Sequence, residues 1–259
     1  MLKTDEAKQL LDFTVRIAEE AGAITSGYFK KSIAVERKAD NSFVTIADRE
    51  AERHIRARIE KAFPDDGILG EEEGEKDSRS GRRWIIDPID GTYSFVHGVP
   101  LYAILLALEI DNEATIGVVN LPELNEIVFA AKGLGCFHND QPARVSTTKS
   151  LNEALLLCTD FGTCYQHGFG AACERLQQRV EARRTWGDAY GYVLVATGRA
   201  EIMLDPVMNV WDCAALAPIL EEAGGNFTDW RGKKTIYGGN AIATNGVLFD
   251  EVMSVINEC

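Results

Sequence analysis

The residues in this chain that are best suited to take part in chemistry are two carboxylates close together in sequence, Asp87 and Asp90. They follow the apolar run Trp84-Ile85-Ile86, which is typical of a buried strand, and precede Gly91-Thr92, which can open a helix. Carboxylates in one turn repel each other, and a cation that prefers oxygen ligands, such as Mg²⁺ or Mn²⁺, removes that repulsion. Backbone N–H groups at a helix start bind phosphate. The segment therefore predicts a metal site beside a phosphate site.

Three further acidic segments lie at predicted turns or at the ends of predicted elements. They are Thr45-Ile46-Ala47-Asp48, Gly70-Glu71-Glu72-Glu73-Gly74 and Trp211-Asp212. Each has a simpler interpretation when taken singly: a capping box, a solvated charge cluster and a residue stabilised by a helix dipole, respectively. Convergence of all these acids would supply carboxylates for about two or three divalent ions.

The composition restricts the classes of function. The 259 residues are 46% hydrophobic and carry a formal net charge of -13, which fits one large domain or two closely packed halves. An acidic chain is not expected to bind nucleic acid, because that needs clustered Lys and Arg. The six cysteines form no C-x-x-C pair and are expected to be small buried hydrophobes. No apolar run is long enough to span a membrane, so we expect a cytoplasmic protein without a membrane partner.

Hydrophobic periodicity predicts the secondary structure. Helices are expected at about 5–30, 45–62, 170–179, 190–197, 211–223 and 250–257. Strands are expected at 33–38, 84–86, 102–110, 115–121, 126–131, 154–158 and 202–204, with a turn at 40–42 and a mobile surface loop at 73–83. Pro218 predicts a kink or a late start in the helix at 211–223. The pattern favours layered helices and sheets in two halves, an N-terminal α+β half (1–145) and a C-terminal α/β half (146–259).

Together these motifs resemble the inositol monophosphatase-like family of metal-dependent phosphomonoesterases. Trp84 to Thr92 matches the family pattern W-I-I-D-P-I-D-G-T without a break. Trp211 to Ala215 and Glu222 to Gly225 match W-D-x-A-A and E-A-G-G, and the segments at 44–48 and 70–72 fall in the family's order. The resemblance covers essentially the whole chain. It implies the family's α/β fold, an αβαβα sandwich also called the sugar phosphatase fold.

The resemblance also implies a ligand set for the metal ions. Glu71, Asp87 and the Ile89 carbonyl would hold one Mg²⁺, and Asp87, Asp90 and Asp212 would hold a second. Glu71 would assist a weaker third ion through water, and Mn²⁺ could substitute. The N-terminal half then carries most of the ligands, whereas the C-terminal half carries Asp212 and the residues that recognise the substrate.

The implied catalytic residues are Asp48, Glu71 and Thr92. Asp48 and Thr92 would orient a metal-activated water for in-line attack on the phosphorus atom. Asp90 and the N–H groups of Gly91 and Thr92 would meet the phosphate group of the substrate. No covalent phospho-enzyme is expected.

Two segments indicate which phosphate monoester is hydrolysed. Residues 184–192 and 204–212 resemble the histidinol-phosphatase branch of the family, which implies that Asp188 and Asp205 bind the substrate. Histidinol phosphate carries an ammonium and an imidazole, and carboxylates favour such cations through charge-assisted hydrogen bonds. The alternative for Asp188 is a cap for the helix that begins near Ala189. Tyr93 departs from the branch, where lysine is frequent at this position.

The resulting expectation is a histidinol-phosphatase of histidine biosynthesis. The alternatives are an inositol-1-phosphate phosphatase, a 3′-phosphonucleotide phosphatase and a family member with an added protein-interaction role. The resemblance further implies a homodimer and sensitivity to Li⁺.

Overall fold

The computed structural model describes residues 3–39 and 42–258. Asp40 and Asn41, in the turn predicted at 40–42, and Cys259 lie outside the described residues. Two β-sheets alternate with three layers of helices, which confirms the predicted αβαβα sandwich. No helix among the described residues combines the length and the apolar character needed to cross a membrane.

The first sheet has eight strands in the order β10-β9-β8-β7-β6-β5-β3-β4. Its strands are β3 (Gly67–Gly70), β4 (Gly74–Lys76), β5 (Arg82–Asp90), β6 (Ala103–Ile110), β7 (Glu113–Leu121), β8 (Glu126–Ala131), β9 (Gly135–His138) and β10 (Gln141–Pro142). β3 and β5 pair in parallel, and the other neighbours pair antiparallel. The central strands β5 and β6 are covered on both faces by helices, so their middle residues, 84–86 and 103–108, are continuously apolar.

Two long helices cover the outer face of this sheet: α1 (Thr4–Ser26) and α2 (Ile46–Ala62). Their apolar residues recur on one face, so Ile17 and Ile55 are fully buried against a sheet face that contributes Trp84 and Ile86. A short antiparallel hairpin of β1 (Val35–Arg37) and β2 (Phe43–Thr45) links the two helices.

The second sheet has five strands in the order β12-β11-β13-β15-β14. Its strands are β11 (Leu155–Cys158), β12 (Ala182–Arg184), β13 (Ile202–Asp205), β14 (Asn226–Thr228) and β15 (Ala241–Thr244). Between the two sheets lie α6 (Asp188–Ala196), α7 (Val210–Ala214) and α8 (Leu216–Glu222). These helices share one apolar core with the inner faces of both sheets.

The last layer covers the outer face of the second sheet. It contains α4 (Phe161–Gln166), α5 (Gly170–Arg179) and α9 (Phe249–Ile256). The five described cysteines are all buried, as expected for small hydrophobes in a core.

Two of the predicted segments have a different structure from the one expected. The segment 73–83, predicted as a mobile surface loop, contains strand β4 at the edge of the first sheet. The helix predicted at 211–223 is two helices, α7 and α8, separated at Ala215, and Pro218 lies in the first turn of α8, where its missing N–H is tolerated. A Cβ atom on Gly117 of β7 would lie 2.1 Å from the Ala215 carbonyl oxygen, so this break packs directly on the first sheet.

Candidate active site

Asp87 and Asp90 lie at the carboxyl end of β5, where the strand is irregular. Asp87 pairs with Leu105 and Asp90 with Ala103, so the register shifts between the two acids. Pro88 contributes to the irregularity, because it has no N–H to donate to the ladder. Residues three apart in a regular strand point to opposite faces. The bulge turns the chain so that both carboxylates reach the same side.

Asp212, from the start of α7, joins them. Carboxylate oxygens of Asp87, Asp90 and Asp212 lie within 4.8 Å of one another, which defines the acidic cluster. The first two residues come from one sheet strand and the third from a helix far along the chain. The structure therefore brings together three of the four side chains in the predicted ligand set.

Each acid of the cluster is held by one backbone N–H group. The N–H of Ile89 donates to Asp87 at 3.1 Å, that of Ala189 to Asp90 at 2.6 Å and that of Asn209 to Asp212 at 2.6 Å. Since a carboxylate has two oxygens, each acid keeps acceptor capacity for a further ligand. The three side chains are thus fixed in position before any ligand arrives.

The cluster is electrostatically unfavourable by itself. Burial, followed by repulsion from Glu71, Asp90 and Asp212, raises the pKa of Asp87 well above its usual value. Burial, then repulsion from Asp188 and Asp212, does the same to the pKa of Asp90. Burial is also the main cause that raises the pKa of Asp212 to about 6. Asp87 is buried and Asp90 and Asp212 are half-buried, and like charges held together in this way favour a compensating cation.

Glu71, the fourth predicted side-chain ligand, lies beside Asp87 at the end of β3. Its carboxylate also accepts from Lys38 Nζ at 2.7 Å, and the same ammonium contacts Glu72 at 2.5 Å. Lys38 brings a positive charge to the edge of the acidic cluster. Sequence reasoning missed it, because an isolated lysine in a polar segment gives no signal of its long-range partners.

Asp48 forms the capping box that its sequence allowed as the simpler interpretation. Its carboxylate accepts from the Thr45 N–H at 2.8 Å and from the Thr45 hydroxyl at 2.6 Å. Burial raises the pKa of Asp48 to about 6, and repulsion from Glu71 acts in the same direction. Asp48 is therefore near Glu71 and serves as a helix cap at the same time.

Gly91 and Thr92 follow the cluster directly. Gly91 has φ +77°, a left-handed conformation that favours glycine, and a Cβ atom there would lie 2.8 Å from Asp188 Oδ2. Thr92 begins the short helix α3 (Thr92–Val96), and its hydroxyl donates to the Ile89 carbonyl at 3.0 Å. The first N–H groups of a helix have no intrahelical acceptor, so they are available to a bound anion.

A cleft of about 130 Å³ adjoins the cluster. Its walls carry five carboxylates: Asp90, Asp160, Asp188, Asp205 and Asp212. No lysine or arginine lines it within the described part of the chain. The two predicted substrate residues, Asp188 and Asp205, are both in its wall. Sequence reasoning missed Asp160, because its only signal in the sequence is an N-cap pattern before Gly162-Thr163.

The hydrogen bonds at the start of α6 bear on the alternative role of Asp188. The N–H of Ala189 is capped by Asp90, not by Asp188, whose own N–H donates to the Thr159 hydroxyl at 2.8 Å. Asp188 has φ +52°, which places its side chain over Gly91 at the edge of the cleft. The cap of α6 thus comes from Asp90 of β5 and leaves the Asp188 carboxylate on the cleft side.

Comparison with known proteins decides the family. The model of the inositol monophosphatase family matches residues 6–259. The chain belongs to the inositol monophosphatase family. A histidinol-phosphatase of Chlorobaculum parvum is 44% identical over 90% of this chain and 91% of its own length, and one of Mycobacterium tuberculosis is 38% identical over 95% and 97%. A Thermotoga maritima IMPase structure superposes with a TM-score of 0.88 at 37% identity, over 96% of this chain and 97% of the other.

Membership of this family makes the protein a metal-dependent phosphomonoesterase. The acidic cluster fits that requirement, since its ligands are hard carboxylate oxygens whose mutual repulsion a divalent cation would relieve. The Ile89 carbonyl lies on the same turn, and it accepts the Thr92 hydroxyl in this structure.

The buried Asp205 gives this phosphatase a testable pH dependence. Asp205 accepts from Tyr192 Oη at 3.0 Å and from the Thr159 N–H at 3.2 Å, and burial raises its pKa to about 8. Because the folded-state pKa exceeds the unfolded one, the stabilisation from the protonated form is complete below about pH 4 and is lost as the pH rises to about 8.

We therefore expect Asp205→Asn to flatten the dependence of unfolding free energy on pH. Between pH 5.5 and 7.5 the unfolding free energy should decrease in both proteins, and the decrease should be smaller in the variant by on the order of 2 kcal/mol. Urea unfolding with a chelator present measures this. Parallel pH profiles for the two proteins would show that Asp205 ionises freely in the folded state.

Proposed function

We propose that the protein hydrolyses L-histidinol phosphate to L-histidinol and phosphate, as in histidine biosynthesis. The observation that carries the proposal is the cleft beside the acidic cluster, whose wall holds Asp160, Asp188 and Asp205. A leaving group with an ammonium and an imidazole would find charge-assisted partners there. Two relatives that align over nine-tenths or more of the chain bear the name histidinol-phosphatase, which supports the same substrate.

The residues that would hold divalent ions are Glu71, Asp87, Asp90, Asp212 and the Ile89 carbonyl. We propose Mg²⁺ as the ion, about two or three per site, with Mn²⁺ as a substitute. When bound, such ions lower the pKa of a water molecule and stabilise charge on the entering and leaving oxygens. The support is the oxygen-only donor set and the burial of its charges.

The chain's own residues then position the reactants. The Thr92 hydroxyl donates to the Ile89 carbonyl, so its lone pairs remain to accept a hydrogen bond from the attacking water. Asp48 lies close enough to Glu71 for repulsion between them to raise the pKa of Asp48, and it would help to orient that water. The N–H groups of Gly91 and Thr92 would hold phosphoryl oxygens, because they open α3 without helical acceptors.

Asp188 and Asp205 take the role of substrate recognition, and the cleft adds Asp160 to them. All three face the cavity next to Asp90, so they would surround the leaving group while the phosphate meets the cluster. The ionised form of Asp205 would be favoured by a cationic substrate, because an opposite charge nearby lowers a carboxyl pKa.

Inositol-1-phosphate is the main competing substrate, and the superposition with the Thermotoga maritima IMPase favours it. The same acids could accept hydrogen bonds from a polyol, although an uncharged polyol gains less from them. A 3′-phosphonucleotide is disfavoured by the absence of lysine and arginine from the described cleft wall. An added protein-interaction role remains an alternative without a specific observation in its favour.

A substrate panel tests the proposal. Purified protein should hydrolyse histidinol phosphate with a kcat/KM at least about tenfold above that for inositol-1-phosphate and a 3′-phosphonucleotide, a difference of about 1.4 kcal/mol. A chelator should abolish all three activities, and added Mg²⁺ should restore them. A preference for inositol-1-phosphate would overturn the substrate assignment, whereas activity in the chelator would overturn the metal mechanism.

We also propose a cytoplasmic homodimer whose chain divides near residue 146. The support for these three features is the family resemblance and the change of sequence pattern at that point. Light scattering of the purified protein measures the oligomeric state directly.

A further inference from the structure

Glu52 of α2 is a buried carboxylate that contacts the turn after Glu71 and lies outside the predicted ligand set. Its side chain is 0% exposed. Glu52 Oε2 accepts from the Glu72 N–H at 2.8 Å, and Oε1 accepts from the Glu73 N–H at 3.0 Å. Both donors belong to the turn that immediately follows Glu71. A carboxylate is seldom buried without such partners.

The turn that Glu52 contacts joins β3 to β4 and holds the segment Glu71-Glu72-Glu73. Lys38 pairs with Glu71 and Glu72, and Arg53 pairs with Glu73, so these cations offset the repulsion between the consecutive acids. At the start of the turn the Glu71 N–H donates to the Ile86 carbonyl at 3.2 Å, next to Asp87 on β5. This hydrogen bond attaches the start of the turn to β5, beside the acidic cluster.

Arg56 completes the attachment one helical turn further along α2. Its Nε donates to Glu52 Oε1 at 2.7 Å and neutralises the buried charge, and its guanidinium also donates to the Gly74 carbonyl. At the other end of the turn, a Cβ atom on Gly70 would lie 2.0 Å from Glu52 Oε1. Glu52 and Arg56 thus contact the turn at both ends: they bind its main-chain N–H and carbonyl groups, and Glu52 packs against Gly70.

We propose that Glu52 is a positioning residue for the metal site: it fixes the main chain around Glu71 so that this carboxylate is held beside Asp87 for metal binding. The inference rests on the proposed role of Glu71 as a ligand. It assigns to Glu52 no contact with metal or substrate. Loss of a group that orients a ligand weakens metal affinity, because the ligand must then be ordered when the ion binds.

The variant Glu52→Gln tests the inference. Glutamine has one acceptor oxygen, so its amide N–H₂ would face one of the two backbone donors. The dissociation constant for Mn²⁺, measured by calorimetry or by spin resonance without substrate, should rise at least about tenfold. At saturating metal kcat should stay within about threefold of the wild type, since Glu52 does not touch the reacting groups.

Glu201→Gln provides a matched control. Glu201 is 7% exposed and accepts from the Leu155 N–H at 2.8 Å and from the Thr148 hydroxyl at 3.0 Å, on the other sheet. A merely structural role for Glu52 predicts that both variants melt at lower temperature and bind Mn²⁺ as the wild type does. That result would overturn the inference.

Arg56→Lys covers the case in which Glu52→Gln does not fold. Lysine keeps the positive charge but cannot reach both Glu52 and the Gly74 carbonyl with one planar group. It should raise the Mn²⁺ dissociation constant about threefold, and an unchanged constant would also overturn the inference. Because no substrate is present, a wrong substrate assignment does not affect the result. Wild-type protein that fails to bind Mn²⁺ would instead overturn the metal site and the inference together.

Discussion

Replacing Asp87 by asparagine should lower kcat/KM by at least about 10³-fold at any Mg²⁺ concentration. Asp87 is 2% exposed and central to the cluster, with Glu71, Asp90 and Asp212 all close enough to raise its pKa. Asparagine keeps the shape and can still accept the Ile89 N–H, but it removes the charge that attracts a divalent cation. The melting temperature with a chelator should stay the same or increase, because the repulsion is smaller.

Asp229→Asn is the matched control for this prediction. Asp229 is also a buried carboxylate that accepts backbone N–H groups, from Arg231 at 2.9 Å and Lys233 at 2.8 Å, and it is outside the acidic cluster and its cleft. The kcat/KM of the Asp229→Asn variant should remain within about threefold of the wild-type value. If Asp87→Asn retained full activity, a mechanism based on this metal site would have to be abandoned.

For Asp48 and Asp212 the sequence allowed two roles, helix cap or metal ligand. The structure shows why the local sequence could not distinguish between these roles. Asp212 caps the start of α7 through the Asn209 N–H and lies in the acidic cluster at the same time. Asp48 likewise closes a capping box with Thr45 and lies near Glu71. One oxygen can satisfy the backbone while the other faces a ligand. A cap of this kind holds the carboxylate rigidly, which a metal site requires.

The fold could be predicted well where periodicity was strong. The helices near 5–30, 45–62 and 170–179, and the strands that became β6, β7 and β8, match the structure within a few residues. The strands that were missed are all short, and runs of two to four residues seldom give a periodic signal: β2, β3, β4, β9, β10, β12, β14 and β15. The division near residue 146 stays a prediction.

The parts of the site that could be predicted are those carried by contiguous motifs. Asp87 and Asp90 were found from their spacing, and Glu71 and Asp212 from the order of motifs in the family. Lys38, Glu52 and Asp160 were not found, since each acts through partners distant in sequence or through the shape of the cleft. Such contacts depend on tertiary packing, which local sequence patterns do not encode.

Replacing Asp188 by asparagine should separate charge recognition from catalysis. Asp188 has φ +52°, and asparagine tolerates this left-handed conformation better than alanine does. A charge-assisted hydrogen bond contributes about 1.5–3 kcal/mol, so kcat/KM for histidinol phosphate should fall about 10- to 100-fold. For β-glycerophosphate, whose leaving group is uncharged, the loss should be at most about threefold. Steady-state kinetics on both esters at saturating Mg²⁺ measure the two losses.

Asp111→Asn is the control, because Asp111 is an exposed aspartate with φ +50° outside the cleft. It reports any effect of the substitution on the left-handed backbone itself, and it should leave both activities unchanged. Repulsion from Asp188 contributes to the raised pKa of Asp90, so Asp188→Asn also relieves the cluster slightly. That relief acts equally on every phosphate ester, whereas lost recognition of a cation acts on histidinol phosphate alone. Equal losses on the two esters would therefore assign Asp188 to the architecture of the cleft and remove the main physical reason for preferring a cationic substrate.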